Sequence, residues 1–144
     1  MILKSSLSGN YTVTTSYANI ENTSTGQEMS ITIPEDGYYL ITGSICANPV
    51  DNDATDGRAS VKVAINENII AASGGRAYHD DAANGKPIVT NIPICNTVYL
   101  KKDDVITVQA QMGTGDNSLV LATGSVDATY IEAINLTKLA RGGM

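Results

Sequence analysis

The chain contains no Trp, no Phe, a single His and two Cys, and these shortages close off several functions. The lone imidazole, His79, stands in no metal-ligand spacing. No Gly-x-Ser-x-Gly nucleophile elbow occurs, and a Ser-His-Asp triad has no anchor beyond arbitrarily chosen serines. Gly113-Thr114-Gly115 lies between strands and opens no helix, so it offers phosphate no helix N-terminus. No enzyme, catalytic residue or cofactor is expected. Cys46 and Cys95 fit no metal or redox motif. Each sits in an apolar run (SICA, PICN) and reads as a small buried hydrophobe. The alternative, a disulfide between neighbouring strands, requires Cα atoms within bridging distance.

Positive charge is also scarce. Nine Lys and Arg against fifteen Asp and Glu leave a formal net charge of −6. Nucleic-acid binding draws its affinity from clustered cations that displace counterions. Here they are scattered apart from Lys101-Lys102 and a slight bias near Lys138 and Arg141, so no nucleic-acid partner is expected. No stretch approaches the roughly 18 apolar residues of a membrane-spanning helix. Residues 1–10 lack the apolar core of roughly 7–15 residues that a secretory signal needs. Synthesis in a host cytoplasm and no membrane partner are therefore expected. The sequons at Asn10, Asn22 and Asn135 read as chance matches in a Thr-rich chain.

What is present is β-branched. Ile, Val, Ala and Leu dominate the apolar stock beside abundant Thr and seven Tyr, a mixture that suits pleated, half-buried surfaces. Period-two alternation runs through residues 11–17, 27–33, 59–66, 88–100, 104–112, 119–122 and 127–136. Met29, Ile31 and Ile33 share one face, and Val61, Val63 and Ile65 are predicted to point inward. Pro34-Glu35-Asp36-Gly37 reads as a turn, with Pro fixing φ and Gly free to take a positive φ. Residues 37–46 are apolar on both parities, which predicts a central strand covered on both sides.

Residues 48–57 and 73–87 read as polar or Gly-rich loops. No amphipathic helix of about ten residues is expected. The pattern predicts one all-β domain over residues 1–144: a strand core of about 11–136, an N-terminal arm 1–10 and a tail 137–144. A two-sheet sandwich or barrel suits it best.

The strands resemble the tumour-necrosis-factor-like jelly roll, particularly its complement-type globular head. That family shows Pro-x-x-Gly-x-Tyr-Tyr, matched by Pro34, Gly37, Tyr38 and Tyr39 with the tyrosines one place early. It also shows Leu-x-Lys-Gly-Asp-x-Val, matched by Leu100, Lys102, Asp104 and, one place early, Val105. Residues 61–68 fit its Asn-containing hairpin, and Tyr130 takes the aromatic place in its closing strand. Asp103 replaces a family Gly, but Asp tolerates a left-handed turn position. The family's core Phe residues are missing.

The resemblance covers roughly residues 11–136. It implies an antiparallel jelly-roll sandwich that assembles as a homotrimer, with Tyr38, Tyr39, Tyr99 and Tyr130 as interface candidates against the alternative of internal packing. The apolar and basic tips, Ile2, Leu3, Lys4, Lys138, Leu139 and Arg141, are candidates for attachment to a larger shell. Asp51, Asp53, Asp56, His79, Asp80 and Asp81 fall in the loops such a trimer carries at its apex. They read as solvated loops; the resemblance offers calcium as an alternative, although the spacing misses the helix-loop-helix calcium pattern.

The leading expectation is a bacteriophage virion protein. It would decorate or cement the capsid at the virion surface, with the major capsid or another virion protein as partner. The alternative is a trimeric receptor-binding or adhesin head that recognises a glycan or protein through its apical loops. A cytokine-like ligand ranks third. Fold alone does not decide among these tasks.

Overall fold

The computed structural model describes residues 2–49, 57–79, 87–88, 90–112, 119–121 and 129–142, and these form two antiparallel β-sheets with one short helix. In chain order the strands are β1 (Ile2–Ser6), β2 (Tyr11–Thr12), β3 (Ala18–Asn19), β4 (Ser30–Thr32), β5 (Gly37–Pro49), β6 (Gly57–Ile65) and β7 (Asn68–His79). They continue with β8 (Pro87–Ile88), β9 (Thr90–Leu100), β10 (Val105–Met112), β11 (Leu119–Leu121) and β12 (Tyr130–Asn135), followed by helix α1 (Leu136–Ala140).

The first sheet runs β1-β12-β5-β11-β2, with β9 along the other side of β5; the second runs β3-β10-β6-β7-β8, with β4 also on β10. The chain is thus an all-β, two-sheet antiparallel structure. Its core is mainly aliphatic, with Tyr11 and Tyr39 as its buried rings in a chain without Phe or Trp. Tyr39, Ile41 and Ile45 of β5, Ile92 and Ile94 of β9 and Ile131 of β12 face Val61, Val63, Ile106 and Val108 of the second sheet. Full burial of each aliphatic side chain contributes about 1.5–3 kcal/mol. Met29, Ile31 and Ile33 are buried as their alternation predicts, and so are Val61, Val63 and Ile65.

Turn chemistry follows residue type. Asn66 and Glu67 join β6 to β7 with φ of 48° and 68°, the two positive values that a tight hairpin turn demands. Asp103 has φ 71°, the left-handed position expected of it. Gly37 corrects the sequence reading, because it is not among the positive-φ residues. Its need for glycine is steric: a Cβ there would lie 3.2 Å from both Asn135 Oδ1 and Thr137 Oγ1.

Four further expectations change. Residues 2–6 are not an arm but strand β1, paired along its whole length with β12 from Ile2↔Ile134 to Ser6↔Tyr130. Of residues 11–17 only Tyr11 and Thr12 form a strand, pairing with β11. The Gly-rich stretch from Ser73 is not a loop at its start, since β7 continues to His79 with Ser73, Gly74 and Gly75 paired to Val61, Ser60 and Ala59. Ladder hydrogen bonds use backbone groups only, so a partner strand holds glycines that carry no apolar signal of their own. Finally, Cys46 is buried but Cys95 is exposed, and no disulfide joins them.

Candidate functional site

Strand β5 is the middle of the first sheet, and its two faces meet different surroundings. Tyr39, Ile41 and Ile45 enter the core, whereas Tyr38, at 56% exposure, points outward together with Leu40, Thr42 and Ser44. The register carries this outward face across four strands. Ile2 of β1, Ile134 of β12, Leu40 of β5 and Thr97 of β9 make one row. Tyr38 pairs with Tyr99 at its end, beside α1.

Of the five exposed large apolar side chains among the described residues, Ile2, Tyr38, Tyr99 and Leu139 lie on this face or on the helix that extends it, with Leu40, Ile134 and Leu136 half-buried among them. The fifth, Ile69, is on β7 of the second sheet. The rings of Tyr38 and Tyr99 stand edge to face, their centroids 5.2 Å apart at 75°. Such a pair is prefixed in shape and loses little side-chain freedom when covered.

Helix α1 is held firmly, although it is only five residues long. Asn135, 3% exposed, caps it: its Oδ1 accepts from the Lys138 backbone N–H at 2.8 Å, and its Nδ2 donates to the Tyr39 hydroxyl at 3.1 Å and to Glu35 Oε1 at 3.3 Å. The Tyr39 hydroxyl donates to the Glu35 carbonyl at 2.9 Å. Thr137 Oγ1 accepts from the Tyr38 backbone N–H at 2.9 Å, and Lys138 Nζ lies 3.0 Å from Glu35 Oε1. Burial pushes the Tyr39 hydroxyl above the usual tyrosine pKa, and the Asn135 bond partly opposes that shift. The clasp sets Leu136, Thr137, Ala140 and Arg141 around Tyr38, forming a shallow hollow of about 360 Å³.

The expected site residues therefore distribute as follows. Tyr38 and Tyr99 lie together on the outer face, and half-buried Tyr130 lies on the same face three rows away. Tyr39 is corrected: it is 1% exposed inside the sandwich, because consecutive strand residues point to opposite faces, and its ring offers no surface to a partner. Ile2 and Lys4 come beside β12 on the tyrosine face. Leu3 is corrected: it lies between them, opposite buried Ala133, and packs against the core. Leu139 on α1 and its C-cap Arg141 follow β12, so the rest of the two tips converges on the same face as the tyrosines. Lys138 is engaged with Glu35, and Lys4 with Glu132 at 3.6 Å.

Asp51, Asp53, Asp56, Asp80 and Asp81 lie outside the described residues, and His79 ends β7. Among the described residues no group of three or more His, Cys, Asp and Glu is placed to hold a metal.

Sequence reasoning missed Leu40, Glu132, Ile134 and Leu136. Their signal was the outward parity of β12 (Tyr130, Glu132, Ile134), which reads clearly only once Ile131 and Ala133 are known to face inward.

The opposite outer face, on the second sheet, is more polar: Ser30, Lys62 and Gln109 lie on it through the pairing of β4, β10 and β6, with Thr107 buried among them and Ile69 of β7 exposed. Lys62 covers the Tyr17 ring at 3.8 Å. Between the edges of the two sheets, Val61, Val63, Ala71, Ser73, Pro93 and Cys95 line a cavity of about 230 Å³. Compared with known proteins, the chain matches no family model and no curated protein. The geometry therefore carries the functional reading.

Proposed function

We propose that the chain is a non-enzymatic virion structural protein: a jelly roll that trimerises through the outer face of its first sheet and decorates a capsid shell. The observation that carries this reading is the contrast between the two outer faces. One bears Ile2, Tyr38, Tyr99 and Leu139 exposed over half-buried Leu40 and Ile134. The other bears Ser30, Lys62 and Gln109, with Ile69 its one exposed large hydrophobe among the described residues. A contiguous apolar patch rimmed by polar residues marks an association surface, and a face that recurs in every copy suits a closed homo-oligomer. Antiparallel pairing of β1-β12-β5-β9 opposite β4-β10-β6-β7 supports the jelly-roll reading.

In this arrangement the trimer covers the rows around Tyr38, Tyr99 and Ile134. Helix α1 stands at the end of the sandwich where β5 begins and β12 stops. Its exposed Leu139 and Arg141 then make the shell contact three times over, and three weak contacts become one firm attachment through effective concentration.

The test has two stages. Native mass measurement should give a particle of three 15.1 kDa chains, and that particle should co-sediment with decoration-free virion shells. Loss of sedimentation on Leu139→Ser with Arg141→Glu, with the trimer retained, supports the attachment. A protomer that stays solitary at micromolar concentration sinks the reading. A trimer that ignores shells but binds glycans through its loops selects the adhesin role instead.

A further inference from the structure

On the outer face of the first sheet, the strands carry charge in one row only. A single row across it reads Lys4, Glu132, Thr42 and Cys95, from β1 through β12 and β5 to β9. Ile2, Ile134 and Leu40 flank it on one side and Tyr130 on the other. Lys4 Nζ lies 3.6 Å from Glu132 Oε1 and 4.5 Å from the Tyr130 ring centroid. The lysine side chain is 53% exposed and the glutamate 27%. An ion pair so open to water contributes little to the folding of one chain, because solvent screens it and both side chains lose freedom to hold it. Charge in the middle of a greasy face is costly if the face is simply to be buried. The pair makes more sense as part of what the face meets.

Both signs sit side by side on one patch, so the patch complements itself. A partner of a single charge sign would satisfy one of the two and strand the other. A second copy satisfies both.

We propose that Lys4 of each protomer bridges Glu132 of the next, so that three copies close a ring of alternating charge within the trimer interface. This inference rests on the proposed trimer. The ring would act as the register of the assembly. Apolar rows alone slide and stack in many ways, whereas a closed ring of alternating cations and anions leaves no charge unpaired and so fixes the register; the count of three comes from the proposed trimer. The Tyr130 ring keeps one side of the Lys4 ammonium favourably occupied as water is excluded.

The experiment is a charge-swap cycle on the full chain. Lys4→Glu, Glu132→Lys and the double variant are compared with the parent by native mass measurement over a concentration series, at low and high salt. Lys4→Met and Glu132→Gln accompany them, because they remove charge without reversing it. Urea unfolding at concentrations below assembly monitors the fold of each variant.

Each single reversal should raise the concentration needed for half-assembly by about tenfold or more. The double swap should return to within about threefold of the parent, and salt should weaken the parent's assembly. A trimer that forms normally with either single reversal overturns the ring while leaving the trimer reading intact. So does a double swap as impaired as the singles. A parent chain that never assembles overturns both, and a half-assembly point that no reversal moves is the result that separates the two failures.

Discussion

At the scale of single residues, the turn end of the sandwich depends on one carboxylate. Asp104 Oδ2 accepts the Lys101 backbone N–H at 2.8 Å and Oδ1 accepts Asn66 Nδ2 at 2.7 Å, while Asn66 Oδ1 accepts the Val105 N–H at 2.9 Å. The Lys101 N–H bond, then the Asn66 bond, holds the Asp104 carboxyl below the usual aspartate pKa. A carboxyl whose pKa is lower folded than unfolded binds fewer protons in the folded chain. Its contribution is complete above the unfolded value of about 4 and is lost as pH falls through the folded one. Asp104→Asn keeps an oxygen acceptor and removes the charge. Urea midpoints of the two proteins should differ most above pH 5 and converge as pH falls below the unfolded value through the lowered folded one; a constant gap across that range would place the effect in geometry and not in charge.

Asp103 and the hairpin at Asn66 were expected from the resemblance, and local backbone sterics agree, because Asp and Asn tolerate the positive φ found there. Asn135 was not. It reads as a chance sequon, and its role as a buried cap linking Glu35, Tyr39 and Lys138 depends on partners about 100 positions away.

At the scale of elements, the alternating strands β4, β6, β9, β10 and β12 were readable because each has one face in the core. β1 and the second half of β7 were not. The first is short and exposed at alternate positions, and the second is rich in glycine, so both take their structure from the strand they pair with. Residues 37–46 showed apolar side chains on both parities, and only the assembled sheet reveals that Tyr38 and Leu40 are left outside.

The weakest tolerance in this sheet is at Gly43, opposite Ile131 in the β5–β12 ladder. A Cβ at Gly43 would stand 2.4 Å from the Tyr130 carbonyl oxygen and 3.1 Å from Ile131 Cα. Those are backbone atoms and cannot rotate away. Gly43→Ala should therefore destabilise by about 2–3 kcal/mol, and more than Gly37→Ala, whose nearest atoms, at 3.2 Å, belong to the Asn135 and Thr137 side chains. Denaturant unfolding of the two variants ranks them, and equal costs would mean that β12 shifts freely against β5.

At the scale of the whole molecule, alternation tells which residues share a face but not which face a second chain covers. That is why adjacent Tyr38 and Tyr39 both stood as interface candidates until one was found in the core and the other on the surface. The exposed pair gives a prediction that separates assembly from folding. Tyr38→Ser with Tyr99→Ser removes two half-exposed rings that stand edge to face. An isolated chain should then lose about 1 kcal/mol or less, because little buried surface is given up. The proposed trimer should lose far more, since aromatic anchors at the centre of an interface carry a large share of its affinity, and the half-assembly concentration should rise at least about tenfold.

Cys95 reports the same event without mutation. It is exposed on β9, four residues before Tyr99 and opposite Thr42 on the outer face. Its reaction with a bulky maleimide should be fast in dilute protomer and slow at assembling concentrations, with the protection abolished by the double serine variant. Equal reactivity at all concentrations, with the tyrosine pair also dispensable for mass, would mean that the apolar face of the first sheet meets no second copy of the chain.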